Sequence, residues 1–278
     1  MSSCKETLRQ AVESLVAAGV PDAETDAWYL FEHVTGMSRS TYYLRMEDAM
    51  EEAVAEQLAE LVKQRAKRIP LQYITGSQEF MGYSFLVSPA TLIPRQDTEV
   101  LVEEVSKVAE GKKVLDLCTG TGCILLSLAK LCNLAKAVGT DISQEAVDTA
   151  RENAVRLEVC AEFFCGDLFQ AVPKECYDII VSNPPYIPSE VIKTLMPEVR
   201  DHEPVTALDG DSDGLRFYRE IIKNANQYLA NHGQIFFEIG CEQAADISAL
   251  LSTQGFSDIR VVKDLAGLDR VVCATYVS

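Results

Sequence analysis

Apolar residues recur at helical spacing from residue 5 to residue 68, and nothing there alternates as a strand does, so a small all-helical unit is expected. Leu8, Ala11, Val12, Leu15 and Val16 form a first stripe closed by Gly19, whose missing Cβ suits a left-handed cap. Pro21-Asp22 opens a second element with Ala27, Leu30, Phe31 and Val34 as its stripe and Gly36 as its stop. Val54, Leu58, Leu61, Val62 and Arg65 make a third that ends before Pro70. The pattern then changes, and Phe80, Met81-Gly82-Tyr83, Phe85 and Val87 read as two short strands around a glycine turn. Beyond Asp97 a helical stripe of Val100, Leu101, Val105 and Val108 leads into strand 113–117, helix 122–131, strand 136–141 and helix 143–156. Strands near 161–165, 177–182, 234–239, 257–262 and 270–276 bring the total to about seven, the last two placed to pair as a hairpin. Such alternation implies an α/β fold with a parallel sheet. The expected organisation is a helical domain over 1–73, a hairpin linker over 74–92 and the α/β domain over 93–278.

Composition narrows the function classes. Twenty-five basic against 42 acidic residues give a net charge of −17, which disfavours the counterion-release binding on which a DNA-coating protein depends. No stretch approaches the roughly 18 apolar residues of a membrane helix. Nine cysteines, odd in number and scattered, suit a reducing compartment, and the start of the chain reads as neither secretory signal nor transit peptide, so a cytoplasmic protein is expected. Pairs such as Cys118 and Cys123, or Cys160 and Cys165, lack histidine partners at metal-ligand spacing and read as buried small apolar residues.

Lys113 to Leu117 is a buried strand running into Cys118-Thr119-Gly120-Thr121-Gly122 and then an apolar helix, an arrangement in which glycines let a ligand approach the backbone. A dinucleotide fingerprint needs a third glycine at position 125, which is Leu, so the loop suits an adenosyl ligand without phosphates. A glycine pair after a strand is also a common tight turn. Asp141 ends the next strand, about 20 residues on, where a carboxylate reaches the two hydroxyls of a ribose. Asp167-Leu168 follow the third strand, where a carboxylate accepts from an adenine amino group. Each acid alone is equally a helix cap or a solvated charge. The glycine loop and the two acids at successive carboxyl ends of a parallel sheet point to a cofactor, with S-adenosyl-L-methionine the best candidate and S-adenosyl-L-homocysteine its product.

Tyr177 to Ser182 reads as the fourth strand, and it ends in Asn183-Pro184-Pro185-Tyr186. Two prolines fix the backbone and remove two donors, leaving the preceding carbonyls to accept hydrogen bonds from a ligand. An NH2 on an sp² carbon fits, with one N–H for the Asn183 side-chain oxygen, one for the Pro184 carbonyl, and Tyr186 packed on the planar group. Such a nitrogen is a poor nucleophile. Holding both N–H bonds turns its lone pair towards the methyl donor, and the bonds strengthen as charge grows on nitrogen. No metal or strong base is needed. Asn183, Pro184 and Tyr186 are therefore the catalytic candidates, with Pro185 completing the substrate clamp and Asn183 also facing the cofactor.

These residues resemble a known family, the protein-(glutamine-N5) methyltransferases of class I peptide chain release factors (the PrmC/HemK family). The resemblance covers nearly the whole chain and rests on residues 92–99 (Leu92 to Glu99), 115–122, Asp141-Ile142-Ser143, Ser182 to Pro188, Glu203-Pro204 with Ala207-Leu208, and Glu238-Ile239-Gly240. It implies a class I S-adenosylmethionine-dependent methyltransferase with a Rossmann-like seven-stranded sheet, a small N-terminal helical bundle for substrate recognition and a β-hairpin linker. It further implies that residues 118–122 line the cofactor, Asp141 holds the ribose, Asp167 and Leu168 border the adenine, and residues 183–186 hold the glutamine of a Gly-Gly-Gln loop. Two departures stand out: Cys118 replaces a usual Gly, and Gln96 a common Pro. A left-handed backbone at Cys118 would be strained. Arg95 and Glu99 are expected either to clasp the two domains or to contact ligand.

Other readings remain. The same tetrapeptide occurs in enzymes that methylate adenine amino groups in DNA, which need a basic groove that a chain at −17 does not offer. A ribosomal-protein glutamine is a cousin target, and a noncatalytic adapter that binds S-adenosylmethionine is a reading of another class. A monomer without direct nucleic-acid or membrane contact is expected. Residues 187–215, a long connection with little periodicity, suit a lid over the substrate loop.

Overall fold

The computed structural model describes residues 2–277, which divide into two compact units: 2–76 with 196–202, and 77–195 with 203–277. No helix among the described residues is long and apolar enough to cross a membrane.

The first unit is helical, with α1 (Cys4–Ala17), α2 (Ala23–Thr35), α3 (Arg39–Arg45), α4 (Glu52–Ala66) and α5 (Leu71–Thr75). Ser3 and Ser38 cap α1 and α3 by accepting from backbone N–H groups, and Gly36 closes α2 in the left-handed conformation. Leu15, Leu30, Phe31 and Leu58 form its core, as their spacing predicted. Val16 does not join them: it lies one position too far round α1 and is exposed. The helix α5 continues past Pro70, where the third stripe was expected to be the last, because proline is tolerated just before a helix and preset for one.

The second unit begins with the antiparallel hairpin of β1 (Ser77–Phe80) and β2 (Tyr83–Leu86), followed by α6 (Glu99–Ser106). Alternation then builds β3 (Lys113–Leu117), α7 (Cys123–Leu131), β4 (Lys136–Asp141), α8 (Gln144–Arg156), β5 (Glu162–Cys165) and β6 (Tyr177–Ser182). After α9 (Ser189–Ile192) and α10 (Pro197–His202, part of the first unit) come α11 (Arg216–Ala225), β7 (Leu229–Glu238), α12 (Ala244–Thr253), β8 (Phe256–Lys263) and β9 (Asp269–Tyr276). Among the described residues, seven strands form one sheet in the order β5-β4-β3-β6-β7-β9-β8, parallel except for β9, which is antiparallel to both neighbours. The seven strands and their alternation with helices are those the hydrophobic pattern predicted, and the architecture is the class I methyltransferase one that the resemblance implied.

Neighbouring residues of each strand serve opposite faces. Val114, Ile179, Val181 and Phe236 enter one core, Leu115, Leu117, Ile180 and Phe237 the other. Phe80 and Phe85 of the hairpin join the first core, their rings edge to face. Asn153 on α8 is fully buried and ties three segments together. Its Oδ1 accepts from the Leu86 N–H at 2.7 Å, while its Nδ2 donates to the carbonyls of Leu86 (3.1 Å) and Thr121 (3.0 Å). The hairpin is thus fixed to the loop after β3 by one side chain.

Residues 187–215, the long connection with little periodicity, contain α9, α10 and a 3-10 turn at Val205–Ala207, elements too short to show a periodicity. The expectation of buried cysteines is corrected, because their burial is mixed. Cys4, Cys123, Cys132 and Cys273 are buried, whereas Cys160 and Cys165 are exposed, on and beside the short edge strand β5.

Candidate active site

The strand order reverses between β3 and β6, and the carboxyl ends of β3, β4, β5 and β6 open onto a cavity of about 480 Å³. Cys118, Thr119, Gly120, Thr121, Asp141, Asp167, Leu168, Asn183 and Pro185 line it. Gly122, Pro184 and Tyr186 do not. Gly122 takes φ +78° at the start of α7, where a Cβ would crowd Leu126, Ala150 and Phe163, so it serves the turn and its packing.

The loop after β3 is held from below and from the side. Asp116, fully buried, accepts from the Thr119 hydroxyl at 2.6 Å, and burial pushes its carboxyl up to about 7. Asp141 accepts from the Gly120 N–H through Oδ2 and from the Ser143 N–H through Oδ1, each at 2.9 Å. Each oxygen keeps acceptor capacity for a further donor. Burial raises the Asp141 carboxyl, and those N–H groups oppose the rise. Cys118 sits at φ +60° and Leu168 at φ +49°, so both side chains bordering the cavity there are held in a conformation that glycine favours.

An adenosyl ligand fits this lining. Ile142, largely exposed, offers an apolar face beside Asp141. The Thr121 hydroxyl lines the cavity, is buried and has no partner, so it is poised for a polar group of the ligand. Asp141, Asp167, Asp209 and Asp211 outnumber Arg95 and Arg216 around the wall, which favours a cationic ligand and disfavours a pyrophosphate.

At the other end of the cavity β6 runs into Asn183. Its Nδ2 donates to the Thr98 hydroxyl at 3.4 Å, leaving Oδ1 as the acceptor for an incoming donor. Pro184 and Pro185 are buried. The Tyr186 hydroxyl donates to Glu238 Oε1 at 3.2 Å, and its carbonyl accepts from Gln243 Nε2 at 3.0 Å. Burial pushes the Tyr186 hydroxyl well above its usual value. Gly210 and Gly214 let the chain pass this turn. A Cβ on Gly210 would lie 2.9 Å from the Tyr186 Cα, and one on Gly214 would fall on the Tyr186 carbonyl oxygen.

Arg95 and Glu99 do not pair with each other, and their partners lie in the second unit with them. Arg95 pairs with buried Glu203, which also accepts from the Ile93 N–H at 3.3 Å. Glu99 accepts from the Met81 N–H in the hairpin turn at 2.6 Å. Burial raises the Glu203 carboxyl against the pull of Arg95. The partners that order this site, namely Asn153, Gln243, Gly214 and the Thr98 and Glu238 side chains, carry no local signature, because their work is done on residues far along the chain. The one signal available was that Thr98, Glu203 and Glu238 fall inside the runs that carry the resemblance.

Comparison with known proteins agrees with this geometry. Residues 6–76 match the family described as PrmC N-terminal domain, and residues 95–198 the family described as methyltransferase small domain. A release factor glutamine methyltransferase of Geobacter sulfurreducens is 42% identical over 259 residues, covering 93% of this chain and 91% of its own. That of Agrobacterium fabrum is 42% identical over 272 residues, covering 94% and 93%. Among solved structures, a methyltransferase from Pyrococcus furiosus superposes with a TM-score of 0.57 at 16% identity, over 78% of this chain and 99% of its own, a likeness of fold.

Proposed function

Because the chain belongs to the release factor glutamine methyltransferases, we propose that it transfers a methyl group from S-adenosylmethionine to the side-chain amide nitrogen of the glutamine in the Gly-Gly-Gln loop of class I peptide chain release factors. It is an S-adenosylmethionine-dependent protein methyltransferase. The observation that carries the substrate reading is Asn183, whose amide faces Thr98 with its NH2 end and so turns an acceptor oxygen to a cavity beside the glycine loop.

When bound, the cofactor supplies an electrophilic methyl group. Gly120, Thr121, Asp141, Asp167 and Leu168 are read as its holders, with half-buried Cys118 and buried Thr119 completing the loop and Gly122 shaping the turn. Asn183 Oδ1 and the Pro184 carbonyl take the two N–H bonds of the glutamine amide, and Pro185 and Tyr186 keep that pair of acceptors in register. Fixing both N–H groups withdraws the nitrogen lone pair from conjugation and directs it at the methyl carbon, and both bonds strengthen as nitrogen becomes positive. The proton released afterwards leaves from a nitrogen still held by two acceptors.

The helical unit is read as the part that recognises the release factor. Tyr43 and Leu44 are exposed on it, an apolar pair that a protein partner would cover. The same reading makes the protein a cytoplasmic monomer that contacts no nucleic acid directly, in keeping with its charge of −17.

Incubation with S-adenosylmethionine and a release factor, wild type or with the loop glutamine replaced, followed by peptide mass spectrometry, tests this directly. Methyl confined to that glutamine is expected; transfer to other sites only, or none with cofactor bound, overturns it. Asn183→Ala is expected to lower kcat about 100-fold or more while leaving cofactor affinity within about twofold, because the amide acts on the transition state.

A further inference from the structure

We propose that Gln243 is a positioning residue for methyl transfer: its amide ties the backbone at the end of the Asn183 to Tyr186 turn to the backbone that leads into Arg216 and Phe217, and so fixes where the two substrate acceptors stand. The proposal rests on reading Asn183 to Tyr186 as the substrate clamp.

Gln243 stands just before α12, half-buried, with both ends of its side chain bonded. Its Oε1 accepts from the Gly240 N–H at 2.9 Å, and its Nε2 donates to the carbonyls of Tyr186 (3.0 Å) and Gly214 (3.2 Å). Chemistry sets the direction of each bond, since a backbone N–H only donates and a carbonyl only accepts. The amide therefore has a single orientation, oxygen towards the end of β7 and nitrogen towards the two carbonyls. Three glycines make room for it. A Cβ on Gly214 would come within 2.6 Å of Nε2, one on Gly240 within 3.0 Å of Oε1, and one on Gly210 would meet the Gly214 Cα at 2.7 Å.

These bonds close a ring of backbone beside the cavity. The Ile187 N–H donates to the Leu208 carbonyl at 3.0 Å, the Gly210 N–H to the Ile187 carbonyl at 2.9 Å, and the Ser189 N–H to the Asp211 carbonyl at 3.1 Å. The two segments thus run side by side, with Ile187 and Asp209 as parallel partners, and the chain turns through Gly214 into α11. Gln243 joins Gly214 back to Tyr186, where the ring began. Ser189, Asp209 and Asp211 on the ring line the cavity, as do Arg216 and Phe217 just after it and Asn183 and Pro185 just before it. One amide therefore sets the spacing between the acceptor turn and the rest of this wall.

The consequence is a separation of functions. The glycine loop read as holding the cofactor has its own anchors in Asp116, Asp141 and Asn153. Gln243 acts on the acceptor turn instead. Without the Nε2 donor two carbonyls lose a partner and the turn is free to shift, and a displacement of about 1 Å at reacting atoms costs about 100-fold in rate. Two substitutions separate this role from packing. Methionine keeps the length of the side chain but has no donor. Glutamate keeps the bond from Gly240 and sets an oxygen against two carbonyl oxygens, so it repels where glutamine holds. A side chain that only filled space would tolerate both, whereas a donor role ranks glutamine above methionine and methionine above glutamate.

The test is steady-state methylation of the release-factor loop glutamine, with cofactor binding measured separately. Gln243→Met is expected to lower kcat about tenfold or more, with the cofactor Kd and the KM for the release factor each within about twofold. Gln243→Glu should lose more than Gln243→Met. Because Gly214→Ala disturbs the same junction, combining it with Gln243→Met should be no worse than the stronger single change. Hydrogen exchange at the Ile187 and Gly210 amides of the free protein should quicken about tenfold or more in Gln243→Met, a measurement that needs neither substrate nor turnover. Wild-type kcat in Gln243→Met, a Gln243→Glu variant no worse than Gln243→Met, or unchanged exchange at those amides overturns the proposal. So does a loss of cofactor affinity that matches the loss of kcat, or a double variant whose losses multiply. Should Gln243→Glu fold poorly, Gln243→Met and the exchange measurement decide. Failure of the wild-type protein to methylate that glutamine refutes the functional reading instead, and the exchange measurement then decides on Gln243 alone.

Discussion

Cys118 shows how much a single residue can be asked to bear at this site. Its φ of +60° is one that a Cβ makes unfavourable, by about 1–2 kcal/mol for a side chain without special local bonding. Cys118→Gly relieves that cost, yet it adds a comparable freedom to the unfolded chain. The two should nearly cancel, leaving stability within about 1 kcal/mol in urea denaturation. Cys118→Val places a second branch on Cβ in the same backbone and should destabilise by about 2 kcal/mol in that measurement. The strained position was foreseeable from the Cys standing where glycine is usual. Leu168 at φ +49° was not, since nothing in Gly166-Asp167-Leu168 reports that the chain turns left-handed one residue after the acid.

At the scale of elements, the strands and helices of the α/β region lie where hydrophobic runs put them: β3, β4 and β6 fall on the expected residues, and α7 and α8 begin one residue later than expected. A strand buried on both faces must be apolar throughout, which makes it legible. The connection over residues 187–215 was not, because its segments are short and are held by contacts rather than by periodicity. Gly214 is its tightest point. Its φ is +73°, and Gln243 Nε2 donates both to its carbonyl (3.2 Å) and to that of Tyr186 (3.0 Å). Gly214→Ala forces the new Cβ onto the Tyr186 carbonyl, so the turn has to move. A loss of about tenfold or more in kcat with cofactor affinity nearly intact is expected from steady-state kinetics beside calorimetric titration.

For the molecule as a whole, the first unit is assembled from distant parts of the chain. Arg65 Nε donates to Asp26 at 2.6 Å and Arg65 Nη2 to Glu198 at 2.8 Å, while Arg68 bonds both oxygens of Glu198 at 2.6 Å. These side chains, except that of Arg68, are nearly buried, and the arginines hold the Glu198 carboxyl down at about 2, against the effect of burial. Removing the charge strands Arg65 in a dry setting with only Asp26 opposite. Glu198→Gln should therefore destabilise by about 3 kcal/mol near neutral pH in chemical denaturation. A depressed carboxylate contributes its stability above the pKa it has when unfolded and loses it as pH falls towards its folded value. The gap between wild type and variant should accordingly shrink from pH 5 towards pH 2.

The sequence by itself determined the fold class, the order of the main elements and the stretches of chain at which chemistry would occur. Periodicity follows from burial, and a ligand loop must sit at strand ends where backbone is free to meet it. Only the tertiary structure decided which side chains order those stretches. It set Asn153 under the glycine loop, Thr98 against Asn183, Glu238 beneath Tyr186, and α10 within the helical unit. The physical reason is range. Secondary structure is written in neighbours three or four positions apart. Hydrogen bonds spanning 32, 85 and 52 positions, and an ion pair spanning 133, exist only once the chain has closed on itself.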